Sequence, residues 1–173
     1  GRLLATDIRP KALAELRKRV RRCGVADAVE SRVIGPDEPV ATELLGQFHR
    51  VLIDAPCSGT GTLRRQPELR WRIEGDWLQS LPELQVQLVC RAADALAPGG
   101  RLVYATCSVL ARENEGVVAT VLERRPDLQR LSLRELYGPE RAARLGDGEF
   151  LRVGPHSHGC DGFFAAVMVR RSD

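Results

Sequence analysis

Two cysteines stand directly after short apolar runs, in company that could do covalent chemistry. One lies in Asp54-Ala-Pro-Cys57-Ser-Gly-Thr-Gly61, the other in Tyr104-Ala-Thr-Cys107-Ser-Val-Leu. A thiolate is a strong nucleophile, and a carboxylate beside it can hydrogen-bond the group under attack. A third apolar run, Leu3-Leu4-Ala5-Thr6, also ends in a carboxylate, Asp7. Each feature alone has a plainer explanation. A cysteine at a strand end is more often a small buried apolar residue, Asp7 could cap the next helix, and Gly59 and Gly61 could simply make a turn. The conjunction carries the weight, because chance seldom puts Pro-Cys-Ser-Gly and Thr-Cys-Ser on two strand ends separated by one helix.

The elements that must position these residues follow from the hydrophobic pattern. Short apolar runs alternate with longer amphipathic ones, which reads as β-α-β-α with a largely parallel sheet. Strands are predicted to end at Asp7, Ile34, Asp54 and Thr106, with others over residues 128–133 and 162–170. Helices are predicted from Pro10 to Gly24 and over 76–97 and 112–124, with a short one over 38–46. Ligands in open α/β sheets sit outside the carboxyl ends of the strands. Asp7, Asp54 to Cys57, and Cys107 all fall at such ends, so one edge of one sheet is expected to carry two thiols and two carboxylates. Residues 134–160, rich in Gly, Arg and Pro, read as a loop or insertion. Trp71 reads as core, and Phe163 and Phe164 alternate on a strand, so one should be buried and the other should border the site.

A chain of 173 residues is expected to form one domain. No apolar stretch approaches the roughly 18 residues needed to span a bilayer, and the soluble, cytoplasmic interior of a cell is the expected location. The five cysteines, Cys23, Cys57, Cys90, Cys107 and Cys160, include no CxxC pair, which suggests neither a disulfide framework nor a zinc site. His156 and His158 lack the partners of a metal site, and none is assigned. The net charge of +3 is unevenly spread: the first 22 residues hold eight basic side chains against Asp7 and Glu15. That cluster reads as a solvated helix face. A second one, Arg64, Arg65, Arg70 and Arg72 against Glu68, follows the Cys57 motif directly and could attract a polyanion.

Together these residues resemble a known family. Asp54-Ala-Pro-Cys57-Ser-Gly-Thr-Gly61, followed by Arg64-Arg65-Gln-Pro67-Glu68 and Trp71, is similar to motif IV of the Sun (Fmu-type) family of RNA cytosine-5 methyltransferases. Tyr104-Ala-Thr-Cys107-Ser-Val-Leu with Glu113-Asn114-Glu115 is similar to its motif VI. His158-Gly-Cys-Asp161-Gly162-Phe163-Phe164 is similar to its closing strand, with Cys160 where the family has Thr. The resemblance implies a Rossmann-like class I S-adenosylmethionine-dependent methyltransferase fold: a mostly parallel twisted sheet, helices on both faces and an antiparallel last strand. The family's first central strand and glycine-rich loop have no counterpart here. Residues 1–173 are therefore expected to be the C-terminal part of a methyltransferase domain within a longer protein.

The implied activity is methyl transfer from S-adenosylmethionine to carbon 5 of cytosine in RNA, with 16S ribosomal RNA the expected substrate. A tRNA substrate and a catalytically silent RNA-binding module are the alternatives. By resemblance Cys107 is the nucleophile that adds to carbon 6, Cys57 helps to release the product, and Asp54 hydrogen-bonds the base. Asp7 corresponds to the carboxylate that takes the cofactor's ribose hydroxyls and Asp37 to one near its adenine, while Asp54 and Pro56 border the methylsulfonium. Arg64 and Arg65 are the expected RNA contacts. DNA cytosine methyltransferases instead use the motif IV cysteine as nucleophile, which here would be Cys57.

Overall fold

The computed structural model describes residues 1–35, 38–71, 73 and 75–172, which form two compact units, Gly1–Pro39 and Val40–Asp173. Pro36 and the expected adenine-side residue Asp37 lie outside the described residues.

In the first unit, strands β1 (Leu3–Asp7) and β2 (Val29–Val33) pair in parallel, with Asp7 opposite Val33. Helix α1 (Pro10–Arg22) connects them. Proline at its first turn suits a fixed φ and a missing N–H, and Arg19, Arg21 and Arg22 in its last turn complement the helix dipole. Leu13 is its buried residue, and the basic side chains line the exposed side, as expected of a solvated face.

The second unit holds a five-stranded sheet in the order β3 (Phe48–Asp54), β4 (Leu96–Thr106), β7 (Phe163–Arg170), β5 (Leu128–Leu131), with β6 (Leu151–Val153) also on β7. β3 and β4 are parallel. β7 runs antiparallel to β4, β5 and β6, so the closing strand alone opposes the other four. Helices α2 (Asp76–Asp94) and α3 (Glu115–Arg124) cover one face. Leu81, Gln85, Val89 and Ala93 recur every fourth residue on the buried stripe of α2. Val117, Val118 and Val121 turn α3 inward, and packing outweighs the modest helix propensity of valine. These side chains meet Leu102 and Tyr104 of β4 and Phe164, Ala166 and Met168 of β7 in one core. The Tyr104 and Phe164 rings meet edge to face, 6.4 Å between centroids.

Three expectations need correction. The strand ends do not share one sheet: β1 pairs with β2, β3 with β4, and no ladder joins the two pairs among the described residues. Residues 134–160 are not a bare loop but carry short helices α4 (Leu133–Tyr137), α5 (Pro139–Ala143) and α6 (Pro155–His158) as well as β6. Ser132 caps α4 reciprocally with Glu135, and prolines open α5 and α6, so local capping makes structure where no apolar period announces it. Trp71 is 72% exposed, because the 3₁₀ turn Pro67–Trp71 turns Leu69 inward and leaves Arg70 stacked on the indole, 4.9 Å from its centroid.

No helix among the described residues is long and apolar enough to cross a membrane.

Candidate active site at the ends of β3 and β4

The parallel register sets the site. Asp54 lies opposite Ala105, and the Ala55 N–H donates to the Ala105 carbonyl at 3.0 Å, so the two strands end at the same level. The turns that follow carry Cys57 and Cys107, whose sulfurs are 3.3 Å apart. A contact that short joins the two thiols electrically. Hydrogen bonding from Cys57 lowers the Cys107 pKa to about 7, helped by its own backbone amide and opposed by burial and by the charges of Asp54 and Glu113. Cys57 is pushed far up, first by that same bond to Cys107 and then by burial. As the pH rises through about 7 the pair gives up one proton, with Cys107 favoured as the thiolate and Cys57 as the donor to it.

Backbone contacts fix the turns against each other. The Gly61 N–H donates to the Cys107 carbonyl at 2.8 Å, and the Gly162 N–H to the Gly61 carbonyl at 2.8 Å. A Cβ on Gly61 would sit 2.2 Å from the Gly162 oxygen and 2.8 Å from the Cys107 oxygen, so only glycine permits the approach. Beneath the turns, Glu113 is fully buried. Its carboxylate accepts from the Ser58 N–H at 2.7 Å, the Ser108 hydroxyl at 3.2 Å and the Gln85 side-chain amide at 3.2 Å. The same Gln85 amide donates to the Pro56 carbonyl at 2.8 Å, and the Tyr104 hydroxyl to the Glu113 carbonyl at 2.6 Å. Asn114 donates to the Ser108 carbonyl at 3.0 Å and accepts from Thr106 at 2.7 Å.

Asp54 and Pro56 are exposed on either side of buried Ala55, open to a ligand at the strand end. Asp7 ends β1 of the other unit. Its carboxylate is engaged by Arg9, through the backbone N–H at 2.8 Å and the guanidinium at 3.1 Å, which holds its pKa below the usual range. A carboxylate offers about four acceptor positions, so a vicinal diol would have to share them with Arg9. Arg64 and Arg65 lie on the surface beyond the Cys57 turn. Both pair with buried Asp161, Arg65 through Nε at 2.6 Å and Arg64 at 3.5 Å, yet their side chains stay 67% and 53% exposed. Of the two phenylalanines, Phe164 is in the core and Phe163 is 44% exposed. Phe163 joins Ser108, Val109, Arg152 and His156 around a cavity of about 260 Å³ beside the Cys107 turn. Among the described residues no cluster of histidine, cysteine and carboxylate could hold a metal.

Glu113, Gln85 and Asp161 carry much of this architecture without having been singled out by spacing. A signal existed for Gln85, a polar residue on the apolar stripe of α2. Glu113 and Asp161 stand in the stretches that resemble the family's motif VI and closing strand, but nothing in the sequence alone gives either carboxylate a role.

A sheet whose closing strand alone opposes the others, with helices packed against it, is the Rossmann-like methyltransferase arrangement that the resemblance implies. The chain belongs to the 16S rRNA methyltransferase RsmB/F family, whose model matches residues 1–169. It is 33% identical over 184 residues to the 25S rRNA (cytosine-C(5))-methyltransferase nop2 of Schizosaccharomyces pombe, and 36% identical over 175 residues to ribosomal RNA small subunit methyltransferase F of Cronobacter sakazakii. These alignments take in 100% and 97% of this chain but 30% and 35% of the relatives, so the chain spans about a third of their length. Among solved structures it is similar to PH0851, at 34% identity and a TM-score of 0.82, over 97% of this chain and 37% of that one.

Proposed function

We propose that the protein transfers a methyl group from S-adenosylmethionine to carbon 5 of cytosine in 16S ribosomal RNA, through a covalent adduct at Cys107. Membership of the RsmB/F family supports the reaction class, the cofactor and the ribosomal substrate. One observation supports the residue roles: two sulfurs 3.3 Å apart, within hydrogen-bond reach of each other, at the ends of adjacent parallel strands. Residues 1–173 serve as part of one methyltransferase domain, in the cytoplasm.

S-adenosylmethionine supplies an electrophilic methyl group on a sulfonium. Asp7 and Asp37 would hold its ribose and adenine, and Asp54 and Pro56 would border its methyl group. The protein's own residues must make carbon 5 of an extruded base reactive, which an aromatic pyrimidine is not. The Cys107 thiolate bonds to carbon 6, and the electrons of the 5,6 double bond become available at carbon 5. Asp54 hydrogen-bonds the base at ring nitrogen 3 or its amino group and orients it for this attack. Once the Cys107 sulfur is bonded to carbon, it no longer carries the charge that held the proton on Cys57. Cys57 can then ionise to solvent and take the proton from the methylated carbon 5. The electrons of that C–H bond restore the double bond, the bond from sulfur to carbon 6 breaks, and Cys107 leaves as thiolate. Arg64 and Arg65 contact phosphate beside the entering base.

RNA containing 5-fluorocytosine blocks the last proton transfer and should trap the full-length protein, with the cross-link mapped to Cys107. Cys107→Ser should form no adduct, and Cys57→Ser should still form one. The opposite pattern would make Cys57 the nucleophile. Adducts on tRNA but not on 16S RNA would move the substrate.

A further inference from the structure

We infer that Glu113 is a positioning residue: its buried carboxylate clasps the turns after Cys57 and Cys107 and so fixes the distance between the two sulfurs. The inference rests on the proposed use of the thiol pair but concerns the residue that builds it. Ser58 directly follows Cys57 and Ser108 directly follows Cys107, and one oxygen of Glu113 takes the Ser58 N–H while the other takes the Ser108 hydroxyl. Among the described residues no other side chain bonds to both turns and to helix α2 as well, where Gln85 completes the set. The hydroxyls tighten the same joint: Ser58 and Thr60 lie 3.2 Å from Ser108 Oγ, and the Val109 N–H donates to Thr60 Oγ1 at 3.0 Å. Glu113, Ser58 and Ser108 are each at most 1% exposed, so water cannot replace a bond lost from this group.

Glu113 touches neither sulfur, so it acts through backbone position. An amide in its place keeps one acceptor oxygen, enough for the Ser58 N–H and Gln85. Its NH2 then faces Ser108, which must turn its proton away. Glu113→Gln should therefore loosen only the Cys107 side, and Glu113→Ala should loosen both.

The test is the pH profile of iodoacetamide alkylation in the full-length protein, read cysteine by cysteine by peptide mass spectrometry. In the unsubstituted protein Cys107 should titrate near 7. Removing the Glu113 charge alone would lower the Cys107 pKa, so a profile that moves up toward the ordinary 9.0 in Glu113→Ala is the signature of a lost Cys57 bond, and Ser108→Ala, which keeps the charge, should move it up as well. Cys90, partly buried against the same core, reports general loosening and should keep its slow alkylation. If Glu113→Ala loses its cooperative denaturation, Glu113→Gln and Ser108→Ala carry the test, the latter cutting the clasp on one side only. A Cys107 profile unchanged in the folded variants overturns the inference, as does one that shifts only together with Cys90. Alkylation needs neither RNA nor methyl donor, so failure to trap RNA would count against the function and leave the clasp standing.

Discussion

The turns carrying Cys57 and Cys107 and the segment from Ser132 to His158 belong to the same unit and are built largely from irregular backbone, but they are held by different means. The thiol turns hang on buried polar bonds, among Ser58, Ser108, Glu113 and Asn114, and on glycine backbones in direct contact. The later segment has a few apolar anchors, Leu133, Ala142 and Phe150, but its polar bonds are mostly exposed or half-buried. Ser132 and Glu135 cap α4, Asp147 accepts the backbone N–H groups of Glu149 and Phe150, and Arg152 pairs with Glu115 at 2.9 Å and with Asp147 at 3.4 Å. A surface bond competes with water on nearly equal terms, whereas a buried one has no substitute if it is lost. Fixed geometry is thus concentrated where two sulfurs must meet, and the neighbouring segment is free to vary.

Glycine offers the largest contrast. Gly61→Ala drives a methyl into two backbone carbonyls that have no room to retreat, at 2.2 and 2.8 Å. It should cost about 3 kcal/mol in urea denaturation, the upper range for overpacking, and separate the sulfurs so that Cys107 loses its low titration point. Gly159→Ala, at φ +64° with nothing within 4 Å of the new methyl, should cost only about 1 kcal/mol for the left-handed backbone. Equal losses at the two positions would erase the distinction between a packed turn and a free one.

The thiol pair itself gives the next effect. Cys57→Ala removes the hydrogen bond that is the main cause of the low Cys107 pKa, so the titration of Cys107 should rise from about 7 toward 9.0. The sign follows from the donor: a group that stabilises a thiolate lowers its pKa, and its removal raises it. At pH 7 the alkylation rate of Cys107 should fall by more than ten-fold. A rate that holds would mean that the charge is supported by something other than its neighbour.

These contrasts track what could be read from the sequence. The strand ends at Asp7, Asp54 and Thr106 were legible, because an apolar run followed by a polar turn is dictated by burial on one side and solvent on the other. The antiparallel closing strand came from the resemblance of its His-Gly-Cys-Asp-Gly-Phe-Phe stretch. The break between the β1–β2 pair and the larger sheet was legible only through the resemblance, whose first central strand has no counterpart here, because hydrophobicity reports that a strand is buried and not which neighbour it pairs with. Residues 133–158 failed differently: helices of four or five residues show barely one turn of periodicity, and only the Ser132/Glu135 spacing and the prolines betray them. The roles of Glu113 and Asp161 were hidden because a buried carboxylate is recognisable only by its partners, most of which lie 28 to 97 residues away in the chain.

In the later segment, Ser132→Ala removes one half of a reciprocal cap and should cost about 1 kcal/mol, without moving the Cys107 titration. The cap also has a pH signature. Ser132 hydrogen bonds lower the Glu135 pKa, so the stabilisation is present above the ordinary glutamate range and fades as pH falls through the folded value. Stability lost on acidification should accordingly be smaller in the variant, which a pair of urea titrations at neutral and acid pH can check.

The smallest effect tests whether the arginines beyond the Cys57 turn face outward for RNA or inward for Asp161. Both arginines pair with that one buried carboxylate, so removing Arg65 leaves Arg64 as its partner at 3.5 Å and should spare the fold. A guanidinium that also meets a phosphate releases a counterion, and Arg65→Ala should then reduce the slope of log affinity against log salt by about 0.7 on single-stranded RNA. Arg65→Lys keeps the charge and should restore most of the slope. Arg141, stacked on Tyr137 in the later segment at 5.0 Å, supplies the control, and Arg141→Ala should leave the slope alone. If Arg65→Ala lowers stability and not the slope, the pairing with Asp161 is structural, and the phosphate contacts must be sought elsewhere on the chain.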